Sequence, residues 1–128
     1  MENLKELRIG NYVEVNGEIS KIEGVIKYGI YYAFGYCPNQ DNWIKPIELT
    51  EEWLLKFGFR YYLKHIYLFP NNDSLRMWGN SWTAQQYLIG LDEFTDIPSP
   101  SIKYVHQLQN LYFALTGEEL IIKDKTNE

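Results

Sequence analysis

Cysteine, histidine and long apolar runs are what this chain has least of, and each shortage closes off a class of function. Of 128 residues one is cysteine, Cys37, so no disulfide can form within the chain and a reducing compartment is the expectation. His65 and His106 are the two histidines, which excludes a three-histidine metal site; a mixed zinc site using Cys37 lacks paired ligand spacing. Cys37 stands before Pro38 in a stretch without any nucleophile signature. It reads as a plain thiol, although a pairing with His65 or His106 is formally open. The glycines at 10, 17, 24, 29 and 35 punctuate short segments and match neither a dinucleotide nor a nucleoside-triphosphate loop. No apolar stretch approaches the length of about 18 residues that a membrane helix needs. The start, MENLKELRIG, lacks the basic-then-apolar run of a secretion signal. The expectation is a soluble cytoplasmic protein with no membrane partner, no metal and no cofactor.

Positive charge is also short. Twelve Lys and Arg stand against seventeen Asp and Glu, a net charge of −5, and non-specific binding of duplex nucleic acid needs a basic field. The acids themselves carry no catalytic signature. Glu51-Glu52, Asp92-Glu93 and Glu118-Glu119 fall at a helix start, in a loop and at a strand start, where solvated carboxylates normally sit. An acid pair of the glycosidase kind would meet only in space, so the sequence assigns no catalytic residue and the chain is expected not to be an enzyme.

What the chain has in quantity is aromatic rings: eleven Tyr, six Phe and four Trp, 16% of the residues. Tyrosine favours strands and half-exposed surfaces, so the composition leans towards β structure. The rings either fill a small core or line a binding surface.

Residues 7 to 34 read as short strands separated by glycine. Tyr12–Val15 and Ile19–Ile22 flank Asn16-Gly17, a dipeptide suited to a two-residue hairpin. Val25–Tyr28 and Ile30–Phe34 follow, suggesting a small curled sheet or half-barrel of the Src-homology shape. Gly35–Asn42 reads as a loop, and Trp43–Ile47 as an edge strand interrupted by Pro46. Thr50 caps a two-turn helix ended by Gly58, with Leu49 and Leu54 spaced as a hydrophobic staple. Phe59–Phe69 reads as one long strand whose odd positions face inward. Pro70–Ser74 is a turn, Leu75–Trp78 the partner strand, Ser81–Ile89 a third, with Ala84-Gln85-Gln86 equally compatible with a helix, and Gly90–Pro100 a loop or edge segment.

Ser101–Ile122 has the cleanest helical period, with Val105, Leu108, Leu111, Tyr112 and Leu115 on one face. Pro98–Ser101 supply a start and Gly117 a stop. His106 lies one position past this stripe, as a boundary residue, and Leu120–Ile122 reads as a return strand. The predicted fold is α+β in a single domain over residues 1–128: a curled antiparallel β segment (1–49), then a short helix, a central antiparallel meander and a long amphipathic helix packed on it (50–128).

One constellation carries chemistry. The solvent face of the central hairpin would present Arg60, Tyr62, Lys64, Arg76 and Trp78, with Trp82 and Asn80 nearby. Flat rings stack on bases while Arg and Lys hold phosphates, which is how small nucleotides or single strands are gripped without catalysis. Cross-strand packing by itself would also pair Arg with Tyr or Trp.

The stretches IELTEEWLLKFGF (Ile47–Phe59) and IKYVHQLQNLYFALTGEEL (Ile102–Leu120), with the opening LRIGNYV (Leu7–Val13), resemble a family of small uncharacterised proteins from Bacteroidetes genomes, their prophages and phages. No catalytic role transfers from it. The resemblance implies a mobile-element context inside a bacterial host, in which a small non-enzymatic protein counters host defence by sequestering an anionic nucleotide-like ligand. The alternative is an inhibitor or adaptor acting on a host protein, and a homo-oligomer is compatible with either.

Overall fold

The computed structural model describes residues 4–79, 82–88, 92–97 and 102–123. The chain forms two compact units, unit 1 from Met1–Glu48 with Tyr104–Leu120 and unit 2 from Leu49–Lys103 with Ile121–Glu128. Antiparallel sheet dominates, joined by helices α1 (Glu51–Lys56) and α2 (Val105–Thr116), so the class is α+β with a meander, as expected.

Unit 1 begins with a 3-10 turn at Leu4–Glu6 and the hairpin of β1 (Tyr12–Val15) and β2 (Glu18–Lys21). Asn16 and Gly17 turn it with φ of +51° and +89°, the sign that two-residue hairpins require. A second sheet is made by β3 (Gly24–Ile26), β4 (Gly29–Tyr32) and β5 (Gly35–Pro38), and β6 (Ile44–Lys45) adds to β1. The loop expected over Gly35–Asn42 is therefore half strand. Residues 29–32 pair with 35–38, a ladder that turn-rich composition concealed. Val13, Val15, Ile22, Ile30, Cys37 and Ile44 form the apolar core with Leu7.

Helix α2 belongs to this unit rather than to the meander, and its neighbour is β1. It runs for 12 residues, a short helix rather than the long one of about four turns expected from Ser101 to Gly117. Tyr104 is extended and bridges to Glu48, and the Val105 N–H donates to the Ile47 carbonyl at 2.8 Å, so backbone pairing holds the chain straight up to the first helical residue. The start signals at Pro98–Ser101 lie outside the described residues. Gly117, at φ +76°, ends the helix as expected.

The buried face also differs from the predicted stripe. Val105, Leu108 and Tyr112 are buried, Leu111 is half-buried and Leu115 is 37% exposed; His106 and Gln109 take the remaining inner positions. Gln109 explains its own burial, because its amide accepts the Tyr12 N–H (2.9 Å) and donates to the carbonyls of Gly10 (3.0 Å) and Leu120 (3.1 Å). Buried amides persist only when satisfied in this way. Leu120–Ile122 accordingly forms no strand; the Leu120 carbonyl is spent on Gln109.

His106 is fully buried, not a boundary residue, and neither ring nitrogen has a hydrogen-bond partner. Its ring stacks on Tyr104 with the Glu6 carboxylate 3.8 Å from Nε2. Burial pushes its pKa down, against the opposing pull of Glu6.

Unit 2 opens with α1, whose cap is the predicted one. Thr50 accepts the Trp53 N–H at 3.4 Å, and Leu49 and Leu54 are both buried. The strand predicted over Phe59–Phe69 is instead a hairpin of β7 (Arg60–Leu63) and β8 (Ile66–Phe69), turned at Lys64-His65 with His65 at φ +66°. Alternation continued through the turn and hid it. The meander goes on through β9 (Asn72–Trp78), β10 (Thr83–Leu88) and β11 (Glu93–Asp96), in the sheet order β11-β10-β9-β8-β7. Tyr67, Phe69, Leu75, Met77 and Ala84 make the inner face. Tyr61 and Leu63, predicted inward, are exposed on β7.

Candidate functional site

Strand alternation decides what the outer face of the meander displays. With Leu75 and Met77 pointing inward as predicted, Ser74, Arg76 and Trp78 must point outward. The ladder then aligns one cross-strand row, Arg60, Leu68, Arg76, Gln85 and Asp96, from the first strand of the sheet to the last. Beside this row lies a hollow of about 490 Å³ lined by Tyr62, Leu68, Asp73, Ser74, Arg76, Tyr87 and Phe94. A second, of about 260 Å³, is lined by Ile66, Arg76, Trp78 and Gln85. Arg76 belongs to both.

The row fixes that arginine. Its Nε donates to Gln85 Oε1 at 2.8 Å, and Gln85 in turn donates to Asp96 Oδ1 at 2.9 Å. Its guanidinium carbon sits 3.7 Å from the centre of the Phe94 ring, and Phe94 leans on Tyr87 at 5.3 Å. A guanidinium stacked on a ring and bonded through Nε loses little further entropy when it meets an anion. Its two terminal nitrogens have no hydrogen-bond partner among the described residues. Tyr87 is itself held by a hydrogen bond from its hydroxyl to Asp92.

Arg60 is differently placed. It donates to Asp73 Oδ1 at 2.7 Å and to the Phe69 carbonyl at 2.8 Å, which commits its charge to the end of the hairpin. Lys64 lies in the β7–β8 turn, exposed, and lines neither hollow. Trp82, at φ +46°, directs its ring towards Tyr67, 6.2 Å away, and Tyr67 is an inner-face residue. Burial and then Glu51 push the Tyr67 phenol up to about 12, so it is neutral beneath the sheet. Asn80 lies outside the described residues.

Of the six residues singled out from sequence, the structure therefore gathers Tyr62, Arg76 and Trp78 around the hollows, ties Arg60 at their edge and leaves Lys64 and Trp82 elsewhere. Leu68, Asp73, Ser74, Gln85, Tyr87 and Phe94 were not anticipated. The alternation of β10 held a signal for Gln85 and Tyr87, and Phe94 sits in the segment read as loop or edge, which forms the edge strand β11.

Among the described residues, no group of three or more metal-ligating side chains converges and no helix is long and apolar enough to cross a membrane. Compared with known protein families, curated proteins and solved structures, the chain matches none. What the site can do chemically rests on its geometry. Among the described residues it offers a cation fixed by a ring and a glutamine, flanked by rings with exposed faces.

Proposed function

We propose that this is a non-enzymatic binding protein that holds a small anionic, ring-bearing ligand on the outer face of the meander. The observation that carries this reading is Arg76, fixed by Gln85 and Phe94 between two hollows while its terminal nitrogens remain unbonded by described residues. The larger hollow is within the size range of ordinary small-ligand sites. Tyr62 is 57% exposed and Trp78 43%, so both keep ring surface for stacking. In the mobile-element context implied by the resemblance, such a protein would act by sequestration. A thermal-shift screen against cyclic and linear nucleotides tests this, because a ligand that binds only the folded state raises the melting temperature. Arg76→Ala should remove any shift found. A flat response across the screen overturns the reading.

A second reading has its own observation. On β4, β5 and the adjoining turns of unit 1, Tyr28, Tyr31, Phe34 and Tyr36 are all exposed, Phe34 by 82%. Ring-rich exposed patches of this kind are typical of protein interfaces, and this one favours an adaptor acting on a host protein. Retention of one host protein by the parent but not by a Tyr31→Ala, Phe34→Ala double variant would establish it.

A further inference from the structure

Two hollows sharing one arginine set a condition on the ligand that the reading above leaves open. Along β9, Ser74 belongs to the larger hollow, Trp78 to the smaller, and Arg76 between them to both. Whatever anion the guanidinium holds has room on either side of it. Nε is already committed to Gln85, so the remaining donors are the two terminal nitrogens, which suit two oxygens of one anionic group. A phosphate monoester has a single organic arm and carries about −1.5 to −2 charges. A phosphodiester has two arms, two non-bridging oxygens and one charge to share between them.

The rim favours the lower charge. Asp73 lines the larger hollow, and Asp92, Glu93 and Asp96 stand at β11 or just before it. The one opposing cation on this row besides Arg76 is Arg60, and Asp73 neutralises it. A polyphosphate or a longer nucleic-acid strand would meet more carboxylates than guanidiniums. Each hollow also has ring surface, Tyr62 with Tyr87 and Phe94 in the larger and Trp78 in the smaller.

We infer that the ligand is a single phosphodiester with a ring-bearing group on each side, of which a dinucleoside monophosphate is the simplest form: the phosphate on Arg76, one base beside Tyr62 and the other beside Trp78. This rests on the proposed anion-binding role of the outer face and adds the class of ligand.

The test is calorimetric titration of the full chain with adenylyl-adenosine, two adenosines joined by one phosphodiester, against adenosine monophosphate and adenosine triphosphate. The dinucleotide should bind about tenfold tighter than either, the order contributed by one further stacked base. Trp78→Ala, its folding verified by a cooperative melt, should erase that advantage and bring the dinucleotide down to the affinity of the monophosphate. Monophosphate binding as tightly as the dinucleotide, triphosphate binding tightest, or a Trp78→Ala protein that keeps the full preference would each overturn the inference while the anion-binding reading stands. No binding of any of the three by the parent chain brings down both.

Discussion

The β3-β4-β5 sheet of unit 1 and the five-stranded sheet of unit 2 both show rings to solvent, yet among the described residues the second alone holds a cation fixed by a ring and a side-chain hydrogen bond. On the smaller sheet the rings are spent on each other and on backbone: Tyr31 and Tyr36 pair at 5.4 Å, and the Tyr36 ring lies over Gly29. The Lys27 amine lies 5.2 Å from the ring of its neighbour Tyr28 on an exposed turn. On the larger sheet the Phe94 ring carries the Arg76 guanidinium, and a relay through Gln85 to Asp96 sets its orientation. Ring content does not separate the two surfaces. A strand register that puts Arg, Gln and Asp in one row does.

If that contrast is sound, damage to unit 1 should cost stability and damage to the outer face of unit 2 should cost binding. The largest effect belongs to Leu108→Ala. Leu108 is fully buried on α2, so truncation should cost on the order of 2–5 kcal/mol in denaturant titration. A loss within about 0.5 kcal/mol would mean that the helix is not part of a core. Arg76→Ala should do the reverse, weakening ligand binding by about 1.5–3 kcal/mol, the range of a charge-assisted hydrogen bond. Stability should fall by only about 1 kcal/mol or less, as expected for a ring contact at a partly exposed site. Equal losses of both would erase the distinction between the two sheets.

Gly29→Ala probes the floor beneath the rings. A Cβ there would run into the Cys37 carbonyl and the Tyr36 ring, so the substitution should cost about 1–3 kcal/mol as overpacking, although alanine usually outperforms glycine in a strand. A neutral result would show that the small sheet adapts and that its ring pair is loosely held. The smallest effect is one of pH. His106 has a folded-state pKa below its ordinary value of 6.5, so on acidification the unfolded chain takes up its proton first. The contribution of neutral His106 is complete above about pH 6.5 and is lost as pH falls from there through the lowered value, with Glu6 working against the trend. His106→Leu should flatten this part of the stability profile in chemical denaturation. An unchanged slope would assign it to other groups.

The difference between the two sheets also marks where sequence was readable. Asn16-Gly17, Thr50 and Gly117 act through their own φ angles and side chains, and each turned or capped the chain where local chemistry placed it. The inward Leu75 and Met77 with outward Arg76 and Trp78 followed from alternation alone, whereas the register shift after Leu68 that pairs Phe69 with Asn72 did not. The hairpin at Lys64-His65 escaped because apolar residues alternate through the turn. The strand at Gly35–Pro38 escaped because glycine and proline, usual breakers, here occupy an edge.

Sequence by itself thus determined the α+β class, the caps, the first hairpin and the outward direction of Arg76, because each depends on a residue's own torsions or on the period of a single strand. The tertiary structure alone decided that α2 joins the first unit, that Gln109 and His106 are buried, and that Tyr87 and Phe94 complete the site. Those outcomes depend on which distant strands pair. Pairing is selected by the summed burial and hydrogen bonding of the whole sheet, a quantity that no local window of the chain contains.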